Sequence, residues 1–80
     1  MVHKNLKEIR TAKGVTQSHL AKKLGISTMT YSRMENGESK IDVERLMVIA
    51  KALGVGVEVF FNKELTESVI KSMEQKHVAV

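Results

Sequence analysis

Residues 16–34, TQSHLAKKLGISTMTYSRM, constrain this chain more than any other segment. Thr16 stands before an apolar-periodic run, where its hydroxyl can accept a free backbone N–H and cap a helix. Leu20, Ala21 and Leu24 then recur at i, i+1 and i+4, one face of a helix. Gly25 follows the last turn, where a left-handed backbone is cheap only without a Cβ. Ile26 returns the chain to the core and Ser27 caps a second helix. In that second helix Tyr31 and Met34 lie three apart and face inward, which leaves Thr28, Met29, Ser32 and Arg33 outside. Ala21 marks the point where two helices cross closely, since a larger side chain would force them apart.

The flanking segments read as scaffold. Asn5 is expected to cap a first helix with Leu6, Ile9 and the stem of Lys13 on its buried side, and Gly14 to end it. Asn36-Gly37 is a turn signal. Asp42 caps a further helix in which Val43, Leu46, Ile49, Ala50 and Leu53 follow the helical period, stopped by Gly54. Val55, Val57, Val59 and Phe61 alternate as a strand would. In the tail, Leu65, Val69, Met73 and His77 recur every four residues with Ile70 beside them, the pattern of one more amphipathic helix. That helix could complete the core, extend an interface between copies, or hold another protein, and Val78-Ala79-Val80 could fray or pair as a short strand.

These residues resemble the helix-turn-helix of the Xre/Cro-type family of phage repressors and related bacterial regulators. The likeness runs from about Leu6 to Phe61 and also takes in Arg10, Thr16-Gln17, Glu35-Asn36-Gly37 and the stretch from Ile49 to Val55. It implies an all-α, five-helix lambda-repressor-like DNA-binding domain over residues 1–61, with helices two and three as the helix-turn-helix. The alternating segment becomes a short fifth helix at about 57–61, and residues 62–80 form a C-terminal helical extension. Gly56 stands where the family has a Ser cap, and Val48 and Val59 occupy positions commonly polar in it.

The resemblance also implies roles. Arg10 and Glu35 would pair as a partly buried brace, the alternative being that Arg10 binds phosphate directly. Gln17, Asn36 and Lys40 would contact the DNA backbone, and Ser27 with its neighbouring N–H groups could receive another phosphate at a helix start. Such contacts position a domain without carrying sequence information. Base choice would fall to Thr28, Met29, Ser32 and Arg33. Arg33 has the fork geometry for guanine O6 and N7, and Met29 offers apolar contact suited to a thymine methyl. Their other readings are a phosphate contact or ion bridge for Arg33, and simple exposure or a partner surface for Met29. Val57, Val59, Phe60, Phe61 and Leu65 are expected to form a homodimer interface, because contiguous apolar surface on a small domain usually means association.

Charge placement agrees with a nucleic-acid partner. Residues 1–33 carry seven basic groups against Glu8 alone, a net of +6, whereas residues 34–80 carry six basic and eight acidic groups, a net of −2. A basic half bearing the helix-turn-helix suits phosphate neutralisation, although a solvated lysine-rich face would look the same. The 80 residues contain no Cys, so thiolate metal sites and disulfides are excluded. No apolar run approaches the roughly 20 residues of a membrane span. His3, His19 and His77 are scattered, and no nucleophile–base set or phosphate loop appears, so neither an enzyme nor a cofactor is expected. The expectation is a cytoplasmic, bacterial or phage-encoded regulator, most often a repressor, that binds a palindromic operator as a homodimer. The rival is an antitoxin or interaction module that chiefly binds a partner protein, with the C-terminal segment as the candidate contact.

Overall fold

The computed structural model describes residues 1–78, with side chains described through residue 72. Helix α1 spans Val2–Ala12, α2 Gln17–Leu24, α3 Thr28–Glu35, α4 Val43–Leu53 and α5 Lys63–Val78, and a single 3₁₀ helix at Val57–Phe61 separates the last two. No strand occurs among the described residues. The all-α, lambda-repressor-like expectation holds, with the short fifth helix present as the 3₁₀ segment and the extra C-terminal helix as α5.

The start signals act as read. Thr16, Ser27 and Asp42 each accept a bond from the backbone N–H three residues on, at 3.1, 3.1 and 2.8 Å. Gly25 adopts φ +70°, and the reversal lets Ile26 N–H reach Ala21 O at 3.0 Å, closing α2 before α3 begins. Leu20 and Ala21 from α2, and Tyr31 and Met34 from α3, meet Leu6 and Ile9 of α1 and Leu46, Ile49, Ala50 and Leu53 of α4 in one core.

Four expectations are corrected. Asn5 does not cap α1, which starts three residues earlier; it is buried inside the helix and donates Nδ2 to Phe60 O at 2.8 Å. A buried 3₁₀ carbonyl has few partners, and the Asn amide supplies one. Val43 is 63% exposed, because as the first residue of α4 it lies with Met47 on a flank of the helix that the core does not reach. Val59 and Phe60 do not belong to any dimer surface: they are 8% and 0% exposed, part of the core, and their carbonyls are taken by Thr66 and Asn5. Of the expected interface, Val57 is half-buried against the core, and Phe61 and Leu65 remain open at 61% and 42%. On α5 the expected Leu65 is exposed and Thr66 is buried in its place, its hydroxyl donating to Val59 O at 2.8 Å, while Val69 and Ile70 are half-buried as expected. The side chains of Met73 and His77, and residues Ala79 and Val80, lie outside the described residues.

The position of α3 is set by one carboxylate. Glu35, the last residue of α3, receives Arg10 Nε at Oε2 (2.8 Å) and Arg10 Nη2 at Oε1 (2.7 Å), a two-pronged bond from α1. Gln17, the first residue of α2, donates Nε2 to Oε1 at 3.2 Å, and Arg10 Nη1 closes the α1–α2 loop on Val15 O at 2.7 Å. Three helices therefore converge on a carboxylate that is 2% exposed. Burial pushes the Glu35 carboxyl upward, but the hydrogen bonds from Arg10 and Gln17, with the Tyr31 hydroxyl nearby, outweigh that and hold it below its usual 4.5. The Tyr31 hydroxyl is buried beside this carboxylate without a hydrogen-bond partner of its own, and burial followed by the adjacent negative charge pushes its ionisation far upward.

Removing one partner of a buried pair leaves the other charge uncompensated, which costs about 3–5 kcal/mol. A domain of this size holds only about 4–12 kcal/mol in total. Glu35→Ala should therefore lower the urea midpoint by a large fraction. The depressed carboxyl also fixes a sign: its contribution is complete above the unfolded value near 4.5 and is lost as pH falls through the folded value. The stability gap between wild type and Glu35→Gln should narrow between about pH 6 and about pH 3. A gap that stays constant over that window would show that the charge contributes nothing.

Candidate nucleic-acid interface

Helix α3 has eight residues, a length of about 12 Å at 1.5 Å per residue, close to the width of a duplex major groove. Its inner face is spent on Tyr31, Met34 and Glu35. Thr28, Met29 and Arg33 stand on the solvent side, with Ser32 half-buried at the edge, so all four expected base-reading residues share one helix. Met29 is 66% exposed, and its Sδ lies 3.6 Å from Arg33 Nη2 one turn further on. The guanidinium thus lies along the outer face of the helix with no carboxylate on it. An ion bridge, one alternative for Arg33, is absent among the described residues.

The ends of α3 are held by separate devices. At its start Ser27 Oγ accepts Thr30 N–H at 3.1 Å and donates to Thr30 Oγ1 at 2.9 Å. The Ser18 and Thr28 hydroxyls approach to 3.3 Å, a direct link from α2 to α3 that sequence reading missed. Nothing in the spacing of two hydroxyls ten residues apart announces such a contact until the turn at Gly25 is in place. At its end Asn36 is the exposed C-cap, its N–H on Ser32 O at 2.9 Å, and Lys40 is exposed on the loop that leads to α4.

Gln17 is half-buried with its amide turned to Glu35, so its structural bond is visible whatever else it touches. Residues 16–34 contain Lys22, Lys23 and Arg33 and no acidic residue. Glu35, the nearest carboxylate in sequence, is buried and neutralised by Arg10. The solvent face of α2 and α3 therefore carries basic and uncharged side chains, as an approaching phosphate backbone requires, and the exposed Glu38 follows only in the loop beyond α3. Among the described residues no group of three His, Cys, Asp or Glu side chains could hold a metal ion, and no helix is long and apolar enough to cross a membrane.

Comparison with known proteins agrees with this geometry. A family model described as helix-turn-helix matches residues 6–60. An uncharacterized transcriptional regulator in the ATPase CF(0) region of Rhodospirillum rubrum is 36% identical over 61 residues, 76% of this chain and 56% of the relative. The uncharacterized HTH-type transcriptional regulator YqaE of Bacillus subtilis is 33% identical over 76 residues, 95% of this chain and 66% of the relative. Antitoxin PezA of Streptococcus pneumoniae is 36% identical over 55 residues, 69% of this chain but 35% of the relative. The chain thus spans about a third to two thirds of the length of these curated relatives. No solved structure matches it significantly. The chain belongs to the Xre/Cro-type helix-turn-helix family, a family of non-enzymatic DNA-binding regulators.

Proposed function

We propose that this protein is a sequence-specific transcriptional regulator that places α3 in the major groove of a palindromic operator and acts chiefly as a repressor by excluding polymerase. The observation that carries the reading is the outer face of α3: four side chains suited to base edges, presented by a helix whose inner face is locked to two others through Glu35. In this reading Arg33 takes guanine O6 and N7, Met29 meets a thymine methyl, and Thr28 and Ser32 exchange hydrogen bonds with adjacent bases. Ser27, Asn36, Lys40 and the outer edge of Gln17 take phosphates and fix the register.

A homodimer supplies the palindrome. With Val59 and Phe60 committed to the core, Phe61 and Leu65, flanked by Val57, are what is left of the expected interface for a two-fold contact. Such a contact would set two recognition helices about 34 Å apart on one side of a duplex. The likeness to an antitoxin supports a second reading, in which a surface including α5 binds a partner protein and DNA binding is secondary. Either activity belongs to the bacterial or phage-infected cytoplasm.

Selection of bound duplexes from a random pool at physiological salt separates the two readings. Enrichment of a two-fold symmetric site is the expected result, and no enrichment with folded protein would favour the partner-binding module. On the selected site, Arg33→Ala should cost about 1–3 kcal/mol and relax preference at one base pair. An equal loss on every sequence would reassign Arg33 to phosphate. Phe61→Glu should halve the mass in solution; an unchanged mass would remove this face as the dimer contact.

A further inference from the structure

Among the methionines whose side chains are described, Met29 alone is both open to solvent and placed with the residues assigned to base reading. Met34 is 1% exposed in the core, Met47 is open at 56% but on α4, and Met1 is the first residue. Met29, 66% exposed, projects from the first turn of α3 with its Sδ 3.6 Å from Arg33 Nη2. No carboxylate among the described residues holds the Arg33 guanidinium elsewhere.

A thioether sulfur is a weak acceptor, so this contact leaves the guanidinium free to turn to a base. Oxygen on the sulfur changes that. Methionine sulfoxide is polar, and an oxygen added to Sδ lies within reach of the same N–H as a far better acceptor. Residues four apart on one helix are neighbours, so the oxidised pair closes without backbone movement. Two contacts with DNA are then lost together: the apolar surface that Met29 offers to a thymine methyl, and the donor fork that Arg33 offers to guanine.

We propose that Met29 is an oxidation site, and that its conversion to the sulfoxide by hydrogen peroxide releases the protein from its operator. The inference rests on the DNA-binding reading above and adds to it a modification that reverses binding. The thioether sulfur attacks one peroxide oxygen, an S–O bond forms and the O–O bond breaks. The leaving hydroxide takes the proton of the transferred oxygen and departs as water. Sulfur gives up two electrons and the peroxide accepts the same two. A bound duplex covers this face of α3, so the free protein is the form that reacts. Reduction of the sulfoxide by the epimer-specific reductases restores the original pair.

The test treats the full chain with hydrogen peroxide, removes the oxidant and quantifies sulfoxide at each methionine by peptide mass spectrometry. Fluorescence anisotropy then reads binding to the selected duplex and to its single-base variants. The dose is one that oxidises Met29 while Met34 stays reduced and the circular dichroism is unchanged. Wild type should bind about five- to 150-fold more weakly after treatment, the worth of one bidentate base contact. It should also lose its preference at the base pair that Arg33 reads. Each variant is compared with its own untreated form: Met29→Leu should not respond to treatment, and Met47→Leu should lose as much as wild type. Both reductases together should restore binding. Met29 that stays reduced while Met47 is oxidised overturns the proposal whatever the protein binds. Undiminished binding by protein oxidised at Met29 overturns it and leaves the DNA reading intact. So does a loss that persists in Met29→Leu, or one that spares the Arg33 base preference. Untreated protein that binds no duplex overturns both.

Discussion

Everything that faces outward on α3 depends on a bond that faces inward. Glu35 ends the helix, lies out of water, and is held by a two-pronged guanidinium from α1 and an amide from the first residue of α2. A buried carboxylate costs free energy unless its lone pairs are filled, and here they are filled by three donors whose own positions are fixed by other helices. The pair is better understood as a device for geometry than for stability, since a buried ion pair returns little more than its desolvation cost. What it supplies is orientation: α3 cannot roll without breaking bonds to both neighbours.

That constraint explains how so short a helix can serve as a reading head. Eight residues make a marginal helix alone, and its stability comes from packing on one face and capping at its ends. Ser27 and the Ser18–Thr28 contact hold its start, Gly37 turns the chain away at its end, and Tyr31 and Met34 seal its core side. The remaining residues are released from structural duty. They can differ between relatives without disturbing the fold, which is how one scaffold comes to serve regulators with different target sites.

Most of the helix-turn-helix was legible because its signals are local. A hydroxyl or carboxylate three residues before a free N–H, a Gly at a left-handed position and an apolar face of period 3.6 can each be read from a few neighbours. Asn5 illustrates what is not legible so. Its partner, the carbonyl of Phe60, lies 55 residues away, and only the packed structure shows that an orphaned 3₁₀ carbonyl needs a donor there. Val59 and Phe60 were misassigned for a related reason. In an alternating apolar run, sequence does not say which residues face in, and the answer came from the bonds that Asn5 and Thr66 make to that segment. Of the candidate interface, the sharing of one open face by Thr28, Met29, Ser32 and Arg33 follows from helical periodicity; the Met29–Arg33 contact needed coordinates.

The central claim is that the outer face of α3 is the surface that meets DNA. Mapping of amide chemical-shift changes on titration with the selected duplex tests it most directly. The account predicts that the largest changes fall on residues 27–33, Asn36 and Lys40, with the exposed side of α5 little affected. Changes concentrated on α5 and the 3₁₀ helix, with α3 unmoved, would contradict it.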